Sequence, residues 1–295
     1  MAPDHRNIPL GFALGFIGVV IFGASVPATK LAVGELDPWF VTFARALIAA
    51  CFAAPLLFLF KKRLPKRLWL TSTLASLCLV IGFPSFLALA LLDVPAAHSG
   101  VVLGLLPLTT AVMAVIAAQE RPSPAFWMWA AIGAVTITIF TIGDGPTGFL
   151  LGDLWLVLAA LSASLGYAFS GTIARERPGW EVISWQIIIA LPIALIGTLI
   201  SFDPNVTSAG WPALAGLGYL GVFSMFLGFF FWNAGLAMGG IARVGQVQLL
   251  QTFVTLFFSW LVLSEAIGPR TQFFALLIVI VIFFARKARI AEAQI

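Results

Sequence analysis

Five polar side chains recur along one apolar stretch near the end of the sequence: Gln248, Gln251, Thr252, Thr255 and Ser259. On a helix that turns about 100° per residue, all five fall within an arc of roughly 100°. Amides and hydroxyls donate and accept hydrogen bonds, so this stripe could line a cavity that binds a zwitterionic ligand. The alternative is a structural role, because hydrogen bonds between membrane helices contribute about 0.6 kcal/mol each.

Two permanent cations lie inside apolar stretches, namely Lys30 and Arg45. A charge in hydrocarbon is costly, so each needs a partner or a function. Lys30 could bind a substrate carboxylate, or it could snorkel to the membrane surface or pair with another group. Arg45 has Glu35 and Asp37 close by in the sequence, and we predict that it locks two helices together.

His98 follows Pro95 at the start of another apolar stretch. Because the pKa of an unperturbed histidine is close to neutral, His98 could bind and release a proton or contact a ligand. The alternative is a polar residue at the mouth of a helix whose hydrogen bonds are satisfied.

Tyr167, Trp232 and Asn233 offer two ring faces and an amide to an aromatic ligand, although packing is the alternative role for the rings. Three prolines, Pro27, Pro84 and Pro107, interrupt apolar stretches. A proline inside a helix removes one backbone hydrogen bond and bends the helix. We predict kinks at these prolines and, as a further hypothesis, hinges that gate a cavity.

The elements that must carry these residues follow from composition. The 295 residues are 61% hydrophobic and 9% charged, whereas a soluble domain is about 25% charged. The sequence therefore predicts an all-α membrane protein. Ten stretches approach the roughly 20 residues that a helix needs to cross a bilayer; they are 10–33, 38–60, 68–91, 95–118, 125–142, 152–174, 181–201, 211–236, 241–263 and 269–286.

The distribution of basic residues predicts the orientation of these helices. If the N-terminus is cytoplasmic, thirteen of the 16 Lys and Arg residues fall on the cytoplasmic side. The positive-inside rule then places both termini in the cytoplasm. We predict a multi-pass protein of the bacterial inner (plasma) membrane whose first apolar stretch is retained as a helix. The basic residues are dispersed, so a nucleic-acid partner is not expected.

The sequence also shows signs of an internal duplication. A displacement of 145 residues places Glu120 on Glu265 and Gly100 on Gly245. Near the start of each half, a displacement of 141 residues places Trp39 on Trp180. We predict two five-helix repeats, residues 1–148 and 149–295, which form one transmembrane domain. Because five is odd, the second repeat must be inverted, and inverted repeats commonly enclose a central site near the midplane.

Several kinds of chemistry are not expected. The two cysteines, Cys51 and Cys78, lie in apolar stretches without neighbours that could bind a metal. Neither HExxH nor GxSxG occurs, so we expect no enzyme, no catalytic residue, no cofactor and no metal. No obligate protein partner is evident. No carboxylate lies in the middle of a stretch, which favours facilitated export, or coupling through His98, over coupling through a buried carboxylate.

Several motifs together resemble the drug/metabolite transporter superfamily, specifically its EamA-type ten-helix members. They are FGASVPATKLA, FARALIAA, LLPLTTAVMAVIAAQERP, GDLWLVLAALSASLGYAF, FFFWNAGL and LFFSWLVLSEAIG. One departure is the pair Gln251 and Thr252, where the family usually has an apolar residue and a proline, as Leu106 and Pro107 are in the first half.

Within that superfamily the sequence is most similar to the YddG-type exporters of aromatic amino acids. This resemblance implies alternating-access export of aromatic amino acids and related small metabolites through the lipid bilayer. The alternative is export of other amino acids, amphiphilic drugs or lipophilic cations. Cations are disfavoured because a cation in a low-dielectric cavity needs a fixed negative partner.

Overall fold

The computed structural model describes residues 8–106, 108–109, 112–113, 121–142, 150–174, 176–239, 245–287 and 290–291. Six helices in these residues are long and apolar enough to cross a membrane: Pro9–Val33, Pro38–Leu59, Lys66–Asp93, Leu151–Ala174, Gly179–Ile200 and Trp211–Gly235. Four shorter apolar helices are Ala96–Leu105, Trp127–Phe140, Gln251–Leu263 and Pro269–Val281. Each predicted stretch therefore contains helix within the described residues.

The first five helices, numbered along the chain, are α1 (Ile8–Val33), α2 (Pro38–Leu59), α3 (Lys66–Asp93), α4 (Ala96–Leu105) and α5 (Pro124–Ile142). The next two are α6 (Leu151–Ala174) and α7 (Gly179–Ile200). Helix α8 runs through Trp211–Tyr219, Leu220–Leu227 and Gly228–Gly239. The 3-10 turn Gly245–Leu250 leads into α9 (Gln251–Leu263), and α10 is Pro269–Lys287. Strands β1 (Arg121–Pro122) and β2 (Ile290–Ala291) pair antiparallel.

Carboxylates fix the starts of two of these helices. The Oδ1 atom of Asp37 accepts hydrogen bonds from the backbone N–H groups of Trp39 and Phe40, both at 2.9 Å. Glu265, which follows α9, accepts from the N–H groups of Ala96 and Ala97 at 2.9 and 2.8 Å. The first N–H groups of a helix have no partner within it, so these carboxylates satisfy donors that would otherwise be unpaired.

Contacts group the helix ends at two opposite ends of the molecule. At the acidic end, which carries Asp37, Asp153 and Glu265, the end of α3 and the starts of α4 and α6 meet. At the basic end, Lys62 pairs with Glu181 at 2.7 Å and Arg67 pairs with Glu176. Because α1 ends at the acidic end and α6 begins there, these two helices run in opposite directions.

The packing of the helices has a regular pattern. Helix α1 packs along α8 while α6 packs along α3, and α2 pairs with α7 as α5 pairs with α10. Helix α2 also contacts the middle of α8, and α7 contacts α3. If each of the first five helices exchanges its number with the helix five places later, α1 with α6 and so on, the same set of pairs results.

Irregular turns recur at matching places in the two halves. Helix α3 contains a π-helical segment, Leu77–Gly82, and α8 contains another, Leu220–Leu227. A displacement of 145 residues places the first inside the second. The same displacement places the 3-10 segment Leu103–Leu105 of α4 inside the 3-10 turn Gly245–Leu250.

The outer surface is apolar, as a protein in a bilayer requires. Phe58, Ile200 and Trp211 are 87%, 81% and 79% exposed. Large exposed apolar patches of this kind mark contact with a membrane. Inside, one cluster of small and aliphatic side chains joins α1, α2, α3, α4, α6 and α8.

Candidate functional site

The polar stripe of α9 is turned toward the protein. Thr252, Thr255 and Ser259 are at most 3% exposed, and Gln248 and Gln251 are partly buried. The opposite side of α9 carries large exposed rings, those of Phe253, Phe257 and Trp260. The helix therefore presents hydroxyls and amides to its neighbours and aromatic rings to the lipid.

A small cavity lies between α1, α4 and this stripe. The volume of this cavity that is open to the centre of a water molecule is about 10 Å³. The cavity therefore has room for roughly one water molecule. The Oε1 atom of Gln251 is buried without a hydrogen-bond partner among the described residues. An amino acid does not fit, so the stripe is closed in this conformation. The cavity is lined by Val26, Gly100, Leu103, Gly104, Leu106, Gln248, Gln251, Thr252 and Thr255.

Two glycines let α4 approach α9 closely. A Cβ atom added at Gly100 would lie 2.7 Å from Cγ2 of Thr255, and one added at Gly104 would lie 2.7 Å from Oγ1 of Thr252. Small residues at such contacts allow membrane helices to pack at short range. In this conformation the two threonines pack against α4.

Pro27 explains one of the contacts of the stripe. Because proline has no N–H, the carbonyl group four residues earlier loses its helical partner. That carbonyl belongs to Gly23, and Oγ1 of Thr255 donates a hydrogen bond to it at 3.1 Å. The predicted hinge at Pro27 thus lies where α1 contacts α9.

One of the other two predicted hinges lies in α3, and the other lies outside the described residues. Pro84 is the second residue after the π-helical segment of α3. Within that segment the carbonyl group of Cys78 accepts a hydrogen bond from Oγ of Ser162 on α6, at 2.9 Å. Pro107 lies outside the described residues, as does Glu120.

His98 forms a buried pair with Asp153. The Nε2 atom of His98 lies 2.7 Å from Oδ1 of Asp153, and the side chains are 5% and 1% exposed. The imidazole ring stacks on Phe140, with centroids 4.8 Å apart. The guanidinium of Arg270 donates to the carbonyl group of Phe140 at 3.0 Å. The pair ties α4 to α6.

Lys30 fastens α1 to the end of α3. Its Nζ atom donates to the carbonyl oxygens of Leu91 and Val94, at 2.5 and 3.1 Å. The last carbonyl groups of a helix are unpaired and carry partial negative charge, which a cation stabilises. This contact corresponds to the pairing role, and Lys30 is not among the residues that line the cavity.

Arg45 joins α2 to α8 instead of pairing with the nearby acids. Its Nη2 atom donates to Oγ of Ser224 at 2.9 Å, and the side chain is 4% exposed. Asp37 caps α2, and Glu35 accepts from the N–H group of Gly210 at 2.6 Å. The two acids are engaged with backbone N–H groups, which spacing along the sequence does not reveal.

The aromatic candidates lie apart from the small cavity. Trp232 is 7% exposed and meets Phe22 edge to face, with centroids 6.4 Å apart. The ring of Tyr167 lies 6.2 Å from that of Phe229. Asn233 donates to the carbonyl group of Gly179 at 3.2 Å, which joins α8 to the start of α7.

The match to a family is extensive. The model of the EamA-like transporter family matches residues 9–142 and again residues 150–286. The chain belongs to this family. EamA proteins are membrane transporters and not enzymes, so this chain is a multi-pass membrane protein that acts on a small-molecule substrate.

Relatives of this EamA protein also carry the name of transporter. The uncharacterized transporter YdeK of Bacillus subtilis (strain 168) is 44% identical over 260 residues, which cover 88% of this chain and 90% of the relative. The uncharacterized transporter sll0355 of Synechocystis sp. is 25% identical over 289 residues, which cover 90% and 86% of the two chains. Neither name specifies a substrate.

A solved crystal structure shares the fold of the EamA chain. It superposes with a TM-score of 0.61 at 20% identity and covers 93% of this chain and 94% of the other. At that identity the likeness concerns the fold alone.

Proposed function

We propose that this EamA protein exports aromatic amino acids and related small metabolites across the bacterial inner (plasma) membrane by alternating access. The observation that carries the proposal is the buried stripe of α9, where Oε1 of Gln251 has no partner among the described residues and lies beside a closed cavity. A buried acceptor without a partner costs about 1–3 kcal/mol. A ligand ammonium or N–H group that donates to this oxygen would recover that free energy.

Alternating access requires two arrangements of similar stability, and an inverted repeat provides them. We infer two inverted five-helix repeats, residues 1–148 and 149–295. The opposite directions of α1 and α6, the exchangeable packing pairs and the matching π-helical segments support this. Related by a pseudo-twofold axis, such repeats expose a central site to one side and then to the other.

The basic end is proposed to face the cytoplasm. The loop between α2 and α3 carries Lys61, Lys62 and Arg63, and the first turn of α3 carries Lys66 and Arg67. The positive-inside rule places such short basic loops in the cytoplasm, so both termini would also be cytoplasmic.

Aromatic substrates are supported by rings that adjoin the stripe. Trp232 and Phe22 share a buried cluster with Val247, and the partly buried Val254 packs against it. Both valines lie on the segment that carries the stripe. Aromatic rings pack favourably edge to face, so a cavity that opens toward this cluster would suit an indole or phenyl group. The cavity-lining residues are neutral, which disfavours lipophilic cations relative to amino acids.

The test is counterflow of labelled tryptophan in liposomes that contain the purified protein. We expect tryptophan to accumulate above empty liposomes and Gln251→Leu to reduce the initial rate roughly fivefold, the effect of losing one hydrogen bond. Phe253→Leu, on the lipid side of the same helix, is the matched control and should leave the rate unchanged.

The other outcomes are also decisive. If folded wild-type protein catalyses no counterflow of any aromatic amino acid, the proposal is wrong. If leucine, a glutamate salt or tetraphenylphosphonium competes better than tryptophan, one of the alternative substrate classes replaces it.

A further inference from the structure

A guanidinium group is enclosed between α2 and α8, two helices that are each long and apolar enough to cross a membrane. Arg45 lies seven residues after Pro38, about 10 Å along the helix axis from the acidic end. Its side chain is 4% exposed. Arginine remains charged at such sites, so the charge itself must be stabilised there.

The groups around this charge are donors. Nη2 of Arg45 donates to Ser224, and Nε has no partner among the described residues. One turn earlier on α2, Thr42 is fully buried, and its hydroxyl likewise has no partner there. Because Ser224 accepts from Arg45, its own hydroxyl hydrogen is free to donate. Thr42 and Arg45 share a face of α2 because they are three residues apart, so two hydroxyls and a guanidinium are available there to an anion.

No acid in the described part of the chain neutralises Arg45. Glu181 pairs with Lys62, Glu176 with Arg67 and Asp153 with His98. A buried charge without a counter-ion is strongly destabilising, and one hydroxyl does not compensate for it.

The helix that faces Arg45 is irregular at the contact. Ser224 lies in the π-helical segment of α8, and such segments occur frequently at functional sites. Gly221, one turn earlier, allows a close approach, since an added Cβ atom would lie 2.5 Å from Cβ of Ile48 on α2. The two helices close over the guanidinium, so a ligand reaches it when they separate.

We propose that Arg45, Thr42 and Ser224 form the subsite that binds the carboxylate of the transported molecule. The proposal rests on the function given above and narrows it to substrates with a free carboxylate. A planar guanidinium presents two parallel N–H groups to the two oxygens of a carboxylate, a geometry that an amide or an amine cannot reproduce.

The test compares three molecules that share one ring: tryptophan, tryptophanamide and tryptamine. In counterflow of labelled tryptophan by wild-type protein, we expect the half-maximal concentration of unlabelled competitor to be at least about tenfold lower for tryptophan than for the other two. Arg45→Gln should raise the half-maximal concentration of unlabelled tryptophan to that of tryptophanamide. Arg67→Gln, an exposed arginine at the basic end, is the matched control and should preserve the preference.

Two milder variants keep the charge in case Arg45→Gln does not fold. Thr42→Val and Ser224→Ala each remove one donor, and each should raise the half-maximal concentration roughly fivefold for tryptophan only. A folded Arg45→Gln protein that still prefers tryptophan, or a wild-type protein without the preference, overturns the proposal.

A binding measurement separates this subsite from the proposed function. Melting of the detergent-solubilised protein is followed with indole-3-acetate, benzoate and their amides. If wild-type protein transports no aromatic amino acid but carboxylates stabilise it more than amides do, only the substrate assignment fails. If no carboxylate stabilises it more than its amide, the subsite itself is wrong.

Discussion

At the scale of single residues, the pair of His98 and Asp153 is a buried polar contact between α4 and α6. Both side chains are almost fully buried, and Asp153 also accepts from the N–H group of Leu150 at 3.0 Å. Removing one member of a buried pair leaves the other without compensation, which costs more than the pair contributes as a whole. The two helices belong to different halves of the chain, so the loss of one member weakens the contact between the halves.

We therefore expect Asp153→Ala to lower the free energy of unfolding by roughly 3 kcal/mol. Asp153→Asn should cost less because an amide oxygen still accepts from Nε2. Unfolding in mixed micelles measures both. Glu176→Gln, in the exposed pair with Arg67, is the control and should have no measurable effect; equal losses for Asp153→Ala and Glu176→Gln would show that the buried pair is not stabilising.

Residue types and spacing predicted part of this arrangement. His98 was expected at the mouth of a helix, and the structure places it in the first turn of α4. Nothing in the sequence indicates Asp153 as the partner of His98, because contacts between distant helices leave no local signal. Lys30 binds backbone carbonyls, and any sequence supplies these, so side-chain patterns could not identify its partners.

At the scale of elements, α1 and α9 share a hydrogen bond that depends on a proline. Pro27 deprives the carbonyl group of Gly23 of its helical donor, and Thr255 replaces that donor. We expect Thr255→Val to cost about 1 kcal/mol in wild-type protein and clearly less beside Pro27→Ala, which restores the N–H group. A double-mutant cycle on unfolding free energies measures the difference.

The control for that cycle is Thr198→Val. Its hydroxyl donates within α7, to the carbonyl group of Ala194 at 2.7 Å, so its effect should be independent of Pro27. Equal costs of Thr255→Val with and without Pro27 would contradict the assignment.

The contact between α4 and α9 predicts a contrast between two glycines. Gly104→Ala places a methyl group against Oγ1 of Thr252 and should destabilise by about 1–3 kcal/mol. Gly218→Ala meets no atom within 4 Å and should be neutral or stabilising, because alanine favours helix. Thermal melting in detergent distinguishes them. Thr252→Ala should rescue Gly104→Ala; a failure to rescue would place the strain elsewhere.

Helix positions were largely predictable and their irregularities were not. A long apolar stretch such as 38–60 predicts α2 to within a residue. The π-helical segments lie in equally apolar stretches, and a change from four-residue to five-residue hydrogen bonding leaves hydropathy unchanged. The stripe of α9 was visible from its period, but the glycines that it packs against lie about 150 positions away in the sequence.

At the scale of the whole molecule, the helix ends that meet on one side differ in charge from those that meet on the other. Carboxylates gather where α4 and α6 begin, and lysines and arginines gather where α3 and α7 begin. Composition and the family motifs predict a helical membrane transporter, and the family match confirms a membrane transporter of the EamA family. The closed packing of the stripe depends on contacts between helices that lie far apart in the sequence, which no local pattern encodes.

The proposed orientation predicts which loops can be labelled from outside the cell. In a variant without Cys51 and Cys78, we expect a membrane-impermeant maleimide to label Thr207→Cys, at the acidic end, in intact cells. Arg63→Cys, at the basic end, should react only after the membrane is permeabilised. Labelling of both positions from the same side would refute the arrangement of helix ends, and the reversed pattern would refute the orientation.

The π-helical segments have a consequence for how this chain tolerates shortening. Such a segment holds one residue more than the regular helix from which it derives. Deleting one residue within Leu77–Gly82 would therefore restore regular winding while the remainder of α3 keeps its faces. Deleting one residue from a regular part of the same helix would instead turn the remainder by about 100°. One lost codon in the π-helical segment should thus be tolerated, whereas one lost codon elsewhere in α3 would exchange lipid-facing and protein-facing sides.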